Sequence, residues 1–475
     1  MRIIIILSYL FCLCTSFNGN SQTLTVQNLD DSGIGSLRDV ISQANSGDTI
    51  RFNPMLISQG SDTLVLDTVI NIDKDLTIKG LYDEEDTLFL TSLENRRMFH
   101  FDTVDYILLD SLCFVADTIN NPNYNIISFV YSTVTVSNAM FRGYNKTVLV
   151  AWQSDLAIDN SIILTTNNIL SGPKISYLTQ GDNFRECKIT NSFFVLNDSH
   201  NPGFLIETGG EKANNNIYIE NSYFSNFKTL IYGLNTVNVI KNTFNNSLIK
   251  TGEPNRGFYT RNITLTAKSS TFTITDSNQV QNTILCIGTP YGPIEPVPLD
   301  TIKLKFTNCT FNGGLYEDTL YGNFSDSNYL DYFGPDLDNL KITSCIFNDI
   351  NGFNELPIDS SGGYNLFSFP QSIGLTSTDQ ANVLVSDINL GPLQNNGGFT
   401  PTHIPNYQSL AYNSGNPNDT SSAQNGPIIQ RRDIGAAEIQ AILIVDTTEY
   451  CGESYDWRDE TLTESDIHFD VQEST

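Results

Sequence analysis

Over most of the chain, apolar and polar residues alternate in short runs, and many of these runs end in one six-residue frame. Ile189-Thr190-Asn191-Ser192-Phe193-Phe194 is the clearest copy. The frame returns at 219–224, 306–311 and 342–347, and earlier at 109–114, 136–141 and 158–163, with a looser copy at 239–244. Each copy has an apolar strand residue, an outward polar residue, a turn position favouring Asn, a small residue and an aromatic or aliphatic anchor. The anchors at 114, 141, 163, 194, 224 and 244 are 20 to 31 residues apart. A period in that range is the mark of stacked repeats.

Upstream of the turn position the apolar residues recur every second residue, as in Ile217-Tyr218-Ile219 and Thr133-Val134-Thr135-Val136, which is a strand period. Asn then bonds the local backbone and tolerates a left-handed turn. One short strand cannot bury its inward face alone, whereas coils stacked about 4.8 Å apart share a continuous core. The expected fold is all-β: a single right-handed parallel β-helix using a strand, a sharp Asn turn and a second strand per period. Inward anchors such as Phe194, Phe224 and Phe311 fill its core, and the stacked Asn turns form a ladder of amide hydrogen bonds. An antiparallel sandwich would need hairpin turns such as Asn-Gly between paired strands, and these are scarce. The coils are expected to run to about residue 350, with a looser stretch over 252–300 that includes a proline-rich excursion at 289–298.

The two ends read differently. Met1-Arg2, an apolar run over 3–13 and small residues at Gly19 and Ser21 form a secretory signal peptide over 1–21, with cleavage before Gln22. The run is too short to span a bilayer, and Leu13 stands before Cys14 where a lipoprotein signal has a small residue. In 22–52, Ser36 and Asp39 have the spacing of a capping box, and Leu37, Val40, Ile41 and Ala44 follow at helical spacing. A helix of about three turns here would cover the open end of the solenoid. Arg38 and Asp39 are read as a cap with a tethered salt bridge in preference to a catalytic pair. Leu24-Thr25-Val26, Asp31-Ser32-Gly33, Gly35-Ser36-Leu37-Arg38, Ala44-Asn45 and Gly47-Asp48-Thr49-Ile50 resemble the N-terminal module of secreted bacterial β-helix proteins of the CSLREA type. Gly35 stands at that family's Cys and Asp39 at its Glu.

Residues 389–440 hold Leu390-Gly391-Pro392-Leu393-Gln394-Asn395-Asn396-Gly397-Gly398-Phe399-Thr400-Pro401-Thr402-His403 and, later, Arg431-Arg432-Asp433-Ile434-Gly435-Ala436-Ala437-Glu438. They resemble the choice-of-anchor Q domain, with Leu410 at a usual Pro, Asn413 at a usual Asp and Arg432 at a usual Gly. The resemblance implies a pectin-lyase-like solenoid over 22–440 whose glycines and prolines close the last coil. His403, Asp433 and Glu438 have no nucleophile motif beside them and are expected to be buried and hydrogen-bonded. The tail, 441–475, resembles part of a small repeated β module of secreted Bacteroidetes proteins and is expected to be an incomplete unit.

Composition narrows the function. Of 475 residues, 25 are Lys or Arg and 53 are Asp or Glu, a formal charge of -28. Such a surface repels nucleic acid and anionic lipid, and no run of Lys or Arg points to a local groove for a polyanionic glycan. Cysteines beyond the signal, at 113, 187, 286, 309, 345 and 451, have neither disulfide-scaffold nor zinc spacing. Cys309 and Cys345 share a register position and are read as buried thiols, with a vertical disulfide as the alternative. Asp83-Glu84-Glu85-Asp86 lacks the glycine turn of a calcium loop, and His100 and His200 are isolated. No catalytic residue, metal or cofactor is assigned. Trp152, Tyr232 and Tyr259 are candidates for a sugar-facing surface. The expected function is a secreted or surface-displayed, non-catalytic adhesion or glycan-binding module, with extracellular polysaccharide or a host or cell-surface glycan as partner. The alternative is a polysaccharide lyase or glycoside hydrolase, since fold alone does not decide.

Overall fold

The computed structural model describes residues 21–440, apart from interrupting stretches of which the longest are 116–125, 252–262, 288–301 and 314–339, together with 455–457 and 460–462. The signal peptide, the acidic run at 83–86, His200, Tyr259, Cys451 and the excursion at 289–298 lie outside the described residues.

The fold is a right-handed parallel β-helix, the hand that parallel crossovers take in nearly all proteins. One coil consists of Phe99–Asp102, Ile107–Asp110 and Cys113–Val115. These strands belong to three sheets, here called first, second and third, with seven, thirteen and twelve strands. The sequence frame accounts for the second and third sheets only. First-sheet strands such as Ile127–Val130 and Leu149–Trp152 lie outside the Asn frame at variable distances from it, so they add no regular period.

The frame's turn joins the second sheet to the third. Its turn residue is left-handed in nine coils, at Ser111, Asn138, Asn160, Asn191, Asn221, Lys241, Ser269, Asn308 and Ser344, with φ between 44° and 55°. Asn fills most of these positions because it visits this region at the least cost after Gly. Its side chains stack in pairs rather than in one ladder. Asn160 Nδ2 donates to Asn138 Oδ1 at 2.7 Å and Asn221 to Asn191 at 3.3 Å, while Asn191 and Asn138 donate to Asp159 and Asp110. The more continuous ladder belongs to the small residue that follows. The Ser161 amide donates to Ser192 Oγ, the Ser192 amide to Ser222 Oγ, and the Ser222 amide to Asn242 Oδ1, at 2.8–3.2 Å. Each of these serine hydroxyls donates in turn to the carbonyl two residues back. Buried turn amides thereby find acceptors that no strand supplies.

Inside, the anchors make one column. Phe194, Phe224, Phe244, Phe272, Phe311, Phe347 and Phe367 stack face to face, with successive ring centroids 4.8–5.1 Å apart. Two of these correct the sequence expectation. Phe272 lies in the stretch read as loose, where Ile263–Lys268 and Thr271–Thr273 form an ordinary rung. Phe367 carries the coils past residue 350. Cys309 and Cys345 occupy neighbouring coils as free, buried thiols.

The capping helix is Leu37–Gln43, about two turns instead of three, since Ala44 already leaves helical geometry. Leu37, Val40, Ile41 and Ala44 are buried against the first coils. Asp39 N donates to Ser36 Oγ, and Asp39 Oδ2 accepts from Gly35 N at 2.7 Å. Arg38 pairs with Asp31 at 2.8 Å rather than with Asp39, and it donates to the carbonyls of Thr68 and Val69. Its guanidinium therefore fastens the cap to the next coil. In the tail, Tyr455–Trp457 and Glu460–Leu462 form an antiparallel pair.

Candidate functional site on the outer faces

Each sheet has an inward column and an outward one, so any site must be built on the outward columns or on what covers them. The later rungs of the third sheet, from Phe193–Leu196 onward, are covered. After Phe367 the chain turns back and lies along that sheet instead of only closing the last coil. Phe399 packs on Phe193 at 5.3 Å. Thr243 Oγ1 donates to the Pro401 carbonyl. Gln424 bonds Thr271, Thr243 and the Asn242 carbonyl at 2.7–2.9 Å. Ala436 N donates to Thr310 Oγ1 at 2.9 Å, and Gly435 N to the Ser344 carbonyl at 3.0 Å. Gly435 has φ of +105° and lies so close that a Cβ would stand 2.7 Å from Thr310 Oγ1. This strap is polar because the column it covers is polar, with threonines at 243, 271 and 310.

The strap holds the three residues singled out from its sequence, and all are buried. His403 sits with Nδ1 2.7 Å from the Gly391 carbonyl and Nε2 3.0 Å from Thr273 Oγ1 and 3.2 Å from Asn312 Nδ2. Burial lowers its pKa, so the neutral ring with Nε2 accepting is the form that fits. Arg432 is wholly buried, with Asp419 at 3.7 Å and Glu438 at 3.9 Å, and it donates to the Ser421 carbonyl and Ser269 Oγ. Glu438 accepts the Asp433 amide, and Asp433 accepts the amides of Asn413 and Ile439. Burial is the main cause that lifts Asp433 to about 6 and Glu438 to about 8, the second helped by the Asp433 charge.

A pH dependence follows. The folded pKa of Glu438 is raised, so its contribution to stability is complete below the unfolded value of 4.5 and is lost as pH rises through about 8. Between about pH 6, where Asp433 has titrated, and about pH 8 the strap is expected to loosen, read as faster hydrogen exchange over 419–440. Glu438→Gln should remove most of that change, and equal pH dependence in the variant would show that another group governs it.

The first sheet places His100 and Ser128 in register, with Nδ1 2.7 Å from Oγ. Ser128 is buried and His100 is half-exposed. Trp152 lies half-exposed on the outward side of the same sheet. Tyr232 belongs to a strand three rungs further on and pairs with Glu207, while Trp152 is in register with Leu178, two residues along. The structure does not bring these two aromatic positions side by side.

The second sheet keeps its outer face uncovered by the strap. Its central outward column runs Thr135, Ala157, Lys188, Tyr218, Asn238, Thr266, Lys305, Lys341. In the middle coils the face is acidic; Glu186 is exposed on it, and the neighbouring carboxylates are engaged. Asp155 pairs with Arg185 at 3.1 Å and accepts the Glu186 amide, Asp159 accepts from Thr190 and Asn191, and Glu220 accepts from Tyr218 at 2.7 Å. Burial and that bond raise the Tyr218 hydroxyl to about 12, and Lys188 stands over its ring at 5.7 Å. In the last coils the face is basic: Lys268, Lys303, Lys305 and Lys341. This corrects the expectation that no basic surface forms. The lysines are about one coil apart in sequence, so no run appears, but aligning the frames would have put Lys305 and Lys341 in one column, each just before the apolar residue of its frame.

Among the described residues no group of His, Cys, Asp and Glu could hold a metal ion, and no helix is long and apolar enough to cross a membrane. No protein-family model matches the chain, and no curated protein matches it. Solved structures do. A PL6 family alginate lyase aligns with 12% identity and a TM-score of 0.47 over 90% of this chain and 60% of its own. A pectate lyase aligns at 12% and 0.36 over 89% and 98%, and the major allergen from cedar pollen at 14% and 0.38 over 65% and 82%. No activity is carried from them to this chain.

Proposed function

We propose that the protein is an exported, non-catalytic glycan-binding β-helix of the secreted bacterial type, with a CSLREA-like cap and a choice-of-anchor Q-like strap. Its binding surface is the outer face of the second sheet. The observation that carries this reading is the state of that face: long, in places half-exposed to exposed, and lined by Thr, Asn, Tyr and Lys in register, with its central carboxylates Asp155, Asp159 and Glu220 each bound to protein partners. A hydrolase requires two carboxyl groups converging on one bond, one of them free to donate a proton. Carboxylates tied into the sheet supply hydrogen-bond edges for sugar hydroxyls instead.

The test is to incubate the exported chain with neutral and uronic-acid polysaccharides, with and without calcium. Retention on a glycan without new reducing ends or unsaturated-uronate absorbance is the expected result. Turnover abolished by a single carboxylate or Lys substitution would replace this reading with a lyase or hydrolase.

A further inference from the structure

Four consecutive rungs of the second sheet, Asn235–Ile240, Ile263–Lys268, Ile302–Thr307 and Leu340–Thr343, contain no acidic residue. They carry Lys268, Lys303, Lys305 and Lys341, and Lys241 follows the first of them in its left-handed turn. Lys303, Lys305 and Lys341 are exposed, and Lys241 and Lys268 are half-exposed. Among the described residues none of the five forms an ion pair. Glu220 bounds the run on one side and exposed Asp359 on the other. In a chain with 53 acidic and 25 basic residues, this is a marked segregation of charge.

Lys305 and Lys341 are also direct partners on neighbouring strands. Like charges placed opposite each other in a sheet are destabilising, and a counter-charge relieves the cost. Successive rungs are about 4.8 Å apart, so the basic run extends roughly 14 Å along the solenoid axis. Half-exposed Thr264, Thr266, Thr307 and Thr343 stand among the lysines and offer hydroxyls at the same height.

We propose that these rungs bind a linear acidic polysaccharide laid along the solenoid axis, its carboxylate or sulfate groups between the lysines and its hydroxyls on the threonines. This rests on the glycan-binding reading and adds the ligand's charge and place. The net charge of the molecule does not oppose it at physiological ionic strength, where the Debye length is about 8 Å and the distant carboxylates are screened while the local lysines are not. Nucleic acid fits less well, because the outward positions of these rungs carry no aromatic side chain on which a base could stack.

The experiment measures binding of the full chain to immobilised oligogalacturonate, heparin, neutral dextran and single-stranded DNA at 150 mM and 1 M salt. Binding to either acidic polysaccharide at 150 mM, lost at 1 M and absent on dextran, is the expected result. Lys305→Gln with Lys341→Gln should lower that affinity roughly tenfold or more, as expected for two lysines near an anionic ligand. Arg142→Gln, which removes an exposed cation from the third sheet, away from these rungs, should leave it unchanged. Thermal unfolding of each variant checks that the coils are intact. Binding unaltered by the double substitution, or tighter binding to DNA than to both polysaccharides, overturns the proposal. Salt-insensitive binding to dextran overturns it while leaving the glycan-binding reading in place, and binding to none of the four overturns it too.

Discussion

Replacing Phe224 by alanine is expected to cost about 3–5 kcal/mol of stability, the usual penalty for emptying the site of a buried Phe. Its ring is fully buried and stacks on both Phe194 and Phe244, at 4.9 and 5.1 Å. The substitution therefore leaves a cavity and breaks two aromatic contacts, each worth about 0.5–1.5 kcal/mol beyond area burial. In a solenoid the loss is local, because each coil contacts only its neighbours. Hydrogen exchange should accelerate first in Arg185–Thr190, Asn215–Glu220 and Asn235–Ile240, ahead of the capping helix. Denaturant unfolding with Phe224→Ala, Phe194→Ala and Phe311→Ala measures the cost, and losses near zero at all three would mean that the column is not the core.

Arg432→Met is expected to cost a further about 3 kcal/mol or more, the scale for removing one partner from a buried charge group. The guanidinium is fully buried, and it stands between Asp419 and Glu438 while reaching Ser269 on the solenoid. Without it Asp433 and Glu438 are two buried acids with no cation beside them. The loss should release the strap from the third sheet while the phenylalanine column stays intact. Limited proteolysis over 384–440 and exchange at Gln424 report the first, and exchange in the rungs reports the second. Arg432→Met combined with Glu438→Gln should recover part of the loss, and purely additive costs would show that the two do not act together.

The basic run could have been found in the sequence by stacking the frames, but the strap could not. Its glycines and prolines mark tight backbone without saying against what it packs. Thr243, Thr271 and Thr310 sit at outward positions that read as solvent-facing, and each is nonetheless buried. Likewise Arg432 reads as an exposed cation in a turn-rich segment, and it is among the most deeply buried side chains in the protein.

By itself the sequence determined the coil. Period-two apolar positions, an Asn-tolerant left-handed turn and a recurring anchor are local properties, and every coil repeats them, so stacking is the one arrangement that buries all the anchors together. The inward phenylalanines follow from that register, and the capping helix is legible separately in its Ser36–Asp39 box and its helical spacing. The tertiary structure alone decided which outer face is open, since that depends on contacts between residues up to about 180 positions apart, such as Gln424 with Asn242 and Thr243. Such contacts leave no period in a chain. It also decided which charges on the faces are paired, because partners such as Asp155 and Arg185, 30 positions apart, meet only once the rungs stack at about 4.8 Å.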